Sequence, residues 1–172
     1  MPAGDIILYS DVLALINATL QKPKVKLVQQ TAQSLTHNTD TPLTFGTGSE
    51  VIDSRGWHNE SSNTTRVTPD IPGWYLCIGL VFVEGANTVT NIGACVRLNG
   101  TVQSPRQRMP IPATTFTKSV QITNSVPCNG TTDYLELAGY QFDTTAGTPL
   151  NRNTTVGGSF ASVFEVIYDR AL

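Results

Sequence analysis

Gly73-Trp74-Tyr75-Leu76-Cys77-Ile78-Gly79-Leu80-Val81-Phe82-Val83 decides the fold of this 172-residue chain. Apart from its glycines, every residue in the run is apolar or aromatic. A strand with one solvated face alternates apolar and polar side chains. This one would put Trp74, Leu76, Ile78, Leu80 and Phe82 on one side and Tyr75, Cys77, Val81 and Val83 on the other. A helix is disfavoured, because Pro72-Gly73 opens the run, Gly79 interrupts it and Glu84-Gly85-Ala86-Asn87 closes it. The run is also too short and too interrupted to span a bilayer. As a strand it needs cover on both faces: a domain core on one side and a second partner on the other.

Working outward, the same period of two recurs. Upstream, Lys24-Val25-Lys26-Leu27-Val28 reads as a strand with Lys24 and Lys26 outward, and Pro42-Leu43-Thr44-Phe45 as a short strand closed by Gly46-Thr47-Gly48. Residues 34–42 are polar and loop-like, and residues 50–65 read as a long polar connection carrying Trp57 and His58. Downstream, residues 91–98 form a strand turned by Asn99-Gly100, where a type I′ turn demands positive φ at both central positions. Thr101-Val102-Gln103 follows, and Pro105, Pro110 and Pro112 then confine the chain to an edge strand or exposed loop. Strands are expected over 116–126, over 134–142 with Leu135 and Leu137 opposing Tyr134 and Glu136, and over 159–168. Cys128-Asn129-Gly130 turns the chain, and residues 143–156 form a loop. There is no alternation of strands with helices and no internal repeat. The fold class is therefore all-β, a jelly-roll sandwich of antiparallel sheets with about eight strands.

One short helix precedes the strands. Ser10-Asp11 is an N-cap signal, Val12, Ile16 and Leu20 share one stripe with Leu13 beside it, and Pro23 stops the helix. A lone helix of about ten residues is marginal in water. Its stripe must dock on its own domain or serve as an attachment device. The chain thus divides into an N-terminal segment, residues 1–23, and a domain over residues 24–172. Met1-Pro2-Ala3-Gly4-Asp5 lacks the features of a signal peptide, so synthesis in a cytoplasm is expected.

Composition narrows the function. The hydrophobic fraction is 40% but the charged fraction is only 14%, against about 25% in ordinary soluble proteins. Thr, Ser and Asn carry the surface, which suits an extracellular β-protein or a virion component better than a cytosolic enzyme. A net charge of −2 offers no field for nucleic acid or an anionic membrane, so neither is an expected partner. The cysteines, Cys77, Cys95 and Cys128, are odd in number and widely spaced, which argues against a disulfide framework and a zinc site.

Motifs for chemistry are missing. His37 and His58 join no H-E-x-x-H, and neither G-x-S-x-G, a P-loop nor a calcium loop occurs. No catalytic residue, metal ligand or cofactor is expected, and the protein reads as a non-enzyme. Arg55, Trp57 and His58 group a cation, an aromatic and a base in one loop. That makes a candidate surface-ligand loop, or simply a structural tryptophan beside an exposed histidine. The basic clusters, Lys22, Lys24 and Lys26 and then Arg97, Arg106 and Arg108, fit a solvated strand face or contact with an acidic protein surface.

The run Ile71-Pro72-Gly73-Trp74-Tyr75-Leu76, the later Val96-Arg97-Leu98-Asn99-Gly100 and the aromatic last strand from Phe160 to Tyr168 resemble the tumour necrosis factor/complement globular-head superfamily of trimeric jelly rolls. Residues 24–98 further resemble phage virion proteins carrying this domain. That likeness rests on Leu27-Val28-Gln29-Gln30-Thr31-Ala32-Gln33-Ser34-Leu35, Pro42-Leu43-Thr44-Phe45, Gly56-Trp57-His58 and Ser62-Asn63-Thr64-Thr65-Arg66-Val67.

The resemblance implies a ten-strand, two-sheet jelly roll that trimerises about a three-fold axis. It places Tyr75 and Cys77 in the core and Trp74, Leu76 and Ile78 on the trimer interface, with Leu80 and Phe82 continuing that face. It matches Phe160 and Phe164 of the last strand to the same side. Glu165 then shares parity with Ala161 and Val163, which would be inward, so a bulge or strand end is expected there. The implied role is capsid decoration on a virion, with the major capsid protein as partner. Ile6, Ile7, Leu8, Val12, Leu13, Ile16 and Leu20 would provide the attachment. Other readings are a minor tail or fibre-tip protein that meets a host-surface glycan, and a carbohydrate-binding module using Trp57.

Overall fold

A computed structural model describes residues 22–103, 106–112, 114–157 and 159–172. The expected N-terminal helix, and with it Ile6, Ile7, Leu8, Val12, Leu13, Ile16 and Leu20, lies outside the described residues.

The decisive run is one strand, β5 (Gly73–Val83), and its exposure alternates without a break. Tyr75, Cys77, Val81 and Val83 are fully buried, and Trp74, Leu76, Ile78, Leu80 and Phe82 are half-buried on the opposite side. Its neighbours in a five-stranded antiparallel sheet are β12 (Val163–Arg170) on one side and β9 (Lys118–Cys128) on the other. Beyond β12 come β1 (Lys24–Val28) and the edge strand β4 (Glu50–Asp53). The polar connection expected over 50–65 therefore begins with a strand. It escapes a propensity reading because Glu50-Val51-Ile52-Asp53 is short, sits at an edge and is largely exposed.

The second sheet pairs β10 (Leu135–Asp143) with β6 (Val89–Leu98) along almost their whole length. The short β3 (Thr41–Pro42) flanks β10, while β7 (Thr101–Val102) and β8 (Gln107–Pro110) flank β6. β2 (Ser34–Leu35) and β11 (Arg152–Asn153) make a separate two-stranded ribbon. The residues expected as the Pro42-to-Phe45 strand contribute Pro42 to β3. Leu43 and Phe45 run on as fully buried core residues whose backbone N–H groups donate to Leu137 O and Thr64 O. The Asn99-Gly100 turn holds as read, with φ of 52° and 78°.

The sheets close on one core. Val25, Leu27, Phe164 and Val166 join Tyr75, Cys77 and Val81 from the first sheet, and Ile92, Ala94, Val96, Leu135 and Leu137 come from the second. Gly79 is required at the point of closest approach, since a Cβ there would stand 2.4 Å from a Leu137 methyl. The chain is all-β, a jelly-roll sandwich of two antiparallel sheets.

Candidate functional site

Three surfaces carry the residues singled out by the sequence. The first is the outer face of the β5 sheet. Across the ladder Leu76 stands beside Ile167, Leu80 beside Val163 and Ile78 beside Glu165. On the other flank Ile78 meets Thr123 and Leu80 meets Gln121. The result is an apolar band along β5 and β12, bordered by small polar groups on β9 and by Lys24 and Lys26 on β1. At one end Phe160, 52% exposed, stacks edge-on against Phe82 at 5.9 Å. At the other end the Arg170 guanidinium lies 5.3 Å from the Trp74 ring centroid.

The last strand corrects the face assignment taken from the resemblance. Phe164 is 0% exposed and packs against Phe45 at 6.4 Å in the core, so it lies on the opposite side of β12 from the outer band. Val163, Glu165 and Ile167 are the outward residues. Glu165 consequently needs no bulge, and the register shift falls between Tyr168 and Arg170. From Val163 to Tyr168 both parities are apolar apart from Glu165, so hydrophobicity alone could not fix which faces in. Glu165, with Asp169 further along the same parity, was the usable signal, because carboxylates prefer the side that reaches water.

The second surface is the loop from Ser54 to Asp70. Here all three expected ligand residues are engaged internally. Trp57 is only 2% exposed, stands edge-on to Tyr75 at 5.4 Å, and donates its indole N–H to Asp70 Oδ1 at 2.7 Å. Arg55 closes the same carboxylate with Nη2 to Oδ2 at 2.6 Å. Hydrogen bonds from Arg55 and then Trp57 hold Asp70 down to about 2. His58 is buried with its ring nitrogens 2.8 Å from Arg66 O and 2.7 Å from Phe45 O. Asp53 accepts the backbone N–H groups of Arg55, Gly56 and His58. The histidine expected to be exposed is a loop anchor, and the tryptophan offers no open face on which a sugar could stack. The loop does enclose a polar pocket of about 250 Å³, lined by Gly56, Trp57, His58, Asn59, Ser62, Asn63, Arg66 and Thr68.

The third surface is the outer face of the second sheet. Tyr140 lies between two cations, with Arg106 and Arg108 at 4.4 and 4.5 Å from its centroid, and its hydroxyl donates to Asn38 Oδ1 at 2.7 Å. Arg106 pairs with Asp40. Glu136 is buried under Arg97, 3.6 Å away, and the Thr65 hydroxyl, 2.8 Å away. Burial, with Asp40 next in weight, pushes the Cys95 thiol up to about 12, so it is an inert neutral group here. The arginines expected as a solvated face are thus used by the chain on itself. The described residues contain no cluster of three or more His, Cys, Asp or Glu able to hold a metal, and no described helix is long and apolar enough to cross a membrane.

No protein-family profile matches the chain, and no curated protein matches it. Solved structures do. The globular domain of the zebrafish complement 1qA protein aligns with a TM-score of 0.60 at 14% identity, covering 88% of this chain and 100% of that one. The crystal structure of murine APRIL at pH 5.0 aligns with a TM-score of 0.58 at 13% identity, covering 87% of this chain and 100% of that one. At such identities the likeness shows the fold: the jelly roll of the tumour necrosis factor and complement globular-head type.

Proposed function

We propose that this chain is a non-enzymatic structural protein that works as a homotrimer and decorates the capsid of a bacteriophage. The observation that carries the reading is the outer band of Trp74, Leu76, Ile78, Leu80, Phe82, Val163 and Ile167. Along β5 it is a continuous apolar row in the middle of a sheet, interrupted on β12 by Glu165, whereas a monomer keeps such surface scattered or small. A copy of the same strip is the economical cover for it, and closed symmetry limits the assembly to a few subunits. Phe160 packs onto Phe82 at the edge of the strip and belongs to the same interface. The phage assignment is supported by the ordered sequence pieces between residues 24 and 98 and by the Thr/Ser/Asn surface.

Residues 1–23 are the attachment segment in this proposal, with the major capsid protein as its partner. Its two described residues, Lys22 and Pro23, lie at the end of the sandwich that bears Trp74. There Lys22 Nζ lies 3.0 Å from Asp169 Oδ1, and the Tyr168 N–H donates to Pro23 O at 2.9 Å. The tests are direct. Light scattering should give three times 18.5 kDa. A stable monomer with intact β-structure would sink the proposal. Removing residues 1–23 should leave the trimer and abolish binding to particles that lack the protein. Gold labelling of intact particles should mark the capsid shell, and a label confined to the tail would replace decoration with a tail role.

A further inference from the structure

The pocket in the 54–70 loop is the feature the decoration role leaves unused. Arg66 apart, the ionisable groups in and around this loop are already engaged. Asp53 is capped by the backbone N–H groups of Arg55, Gly56 and His58, and Asp70 is held by Arg55 and Trp57. Glu60 accepts from Gly48 N at 3.0 Å and Glu50 N at 2.9 Å, and these hydrogen bonds lower its pKa. His58 spans two backbone carbonyls.

The smaller polar groups on the lining are unspent. Among the described residues, the Ser62 and Thr68 hydroxyls, the Asn63 amide and the Asn59 Nδ2 group have no hydrogen-bond partner. The Asn59 Oδ1 atom, by contrast, caps the Ser61 and Ser62 N–H groups. Arg66 makes no ion pair among the described residues and lies over the Tyr134 ring at 4.0 Å.

We infer that this pocket binds a neutral pyranose unit of a surface glycan. Hydroxyls, an amide carbonyl and amide N–H groups offer both donors and acceptors on one concave surface, which is what a ring of alternating hydroxyls requires. The one cation on the lining, Arg66, already lies over the Tyr134 ring, so a phosphate or an acidic sugar would meet a single, partly committed charge there. A volume of about 250 Å³ is below the roughly 300 Å³ at which drug-sized pockets begin, which fits a terminal sugar rather than a buried oligomer. With the Trp57 face buried and the Tyr134 face under Arg66, stacking is not offered, and recognition rests on hydrogen bonds. One pocket is then weak, and several copies on one particle supply avidity. The pocket is complete within one chain, so its test does not depend on the trimer.

The test is an amide-resolved NMR titration of the full chain with methyl pyranosides of glucose, galactose, mannose and N-acetylglucosamine, with glucuronic acid alongside. Saturable shifts at Asn59, Ser62, Asn63 and Thr68 from at least one neutral sugar, in the millimolar range, are expected. Thr68→Val and Ser62→Ala should each weaken that binding about three- to tenfold, the worth of one hydrogen bond. Both positions are exposed, so these variants fold. Three outcomes overturn the inference: no saturable shift at tens of millimolar, shifts that map away from the loop, or binding of glucuronic acid alone.

Discussion

The two sheets present opposite solutions to one problem. Each has an outer face with large side chains near its centre. On the second sheet the chain covers that face itself, stacking Arg106 and Arg108 on Tyr140, pairing Asp40 with Arg106 and burying Glu136 under Arg97 and Thr65. On the β5 sheet nothing in the described chain crosses Leu76, Ile78 or Leu80, which remain half-buried only by their neighbours in the ladder. A self-covered face is sealed with charges whose outer atoms still reach water. An uncovered face whose central row is hydrocarbon, with Glu165 as its one inner charge, needs another apolar surface. In the proposed trimer, that difference separates the face that meets other copies from the face that meets solvent.

Ile78→Asp places a carboxylate in the centre of the strip, where burial against another copy would cost several kcal/mol. The side chain points outward, so the protomer should keep its fold. Light scattering should show the mass dropping from three chains to one, with the far-ultraviolet circular dichroism unchanged. If the mass stays at three, the interface lies elsewhere.

Phe164 stands on the inner side of the neighbouring strand. It sits two places from Val166 in the core and one from the outward Glu165. Phe164→Ala should open a cavity against Phe45 and cost about 3–5 kcal/mol of stability. Chemical denaturation should report that loss in the Ile78→Asp monomer as well. A loss confined to the trimer would return Phe164 to the interface.

These residues also show what the sequence could and could not disclose. The two faces of β5 were separable because both are long, unbroken and bounded by turn residues, so the period of two had a single register, and the resemblance then set which one is inner. The faces of β12 were not, because Phe160 and Phe164 share a parity but not a role. Phe160 lies before the strand begins, where the backbone no longer keeps the alternation. The loop at Trp57 was legible as a cluster with two readings, and the structural tryptophan holds while the exposed histidine does not. A Trp, an Arg and a His close in sequence look available until the fold brings in Asp70, Phe45 O and Arg66 O to engage them. The unspent groups, Ser62, Asn63 and Thr68, are ordinary loop residues whose convergence only the folded chain shows.

On the self-covered face, Arg106→Ala should cost about 1–3 kcal/mol. It strips one cation from Tyr140 and leaves Asp40, whose side chain is 16% exposed, without its partner. The thermal midpoint should fall by several degrees while the mass stays at three chains, the reverse of the Ile78→Asp signature. A change in mass would mean that this face, too, meets another copy.

The smallest effect expected is in acid, and it separates buried from exposed ion pairs. The Asp143 side chain is fully buried beside Arg152. Burial alone would raise its pKa, but hydrogen bonds from Thr145, Arg152 and Thr88 outweigh that and hold it well below its ordinary value of 3.8. The paired Asp70 and Arg55 side chains are 47% and 43% exposed, and Asp70 is held at about 2. A depressed folded-state pKa contributes stability that is present above the unfolded value and lost as pH falls toward the folded one. Stability should therefore decline below about pH 5 and continue to fall through pH 2. Adding 1 M salt should flatten the share due to Asp70, because exposed pairs are screened, and leave the share due to Asp143. Asp143→Asn should reduce the acid slope at high salt more than Asp70→Asn does. Equal slopes for the two variants would show that burial of Asp143 does not shield its pair from solvent.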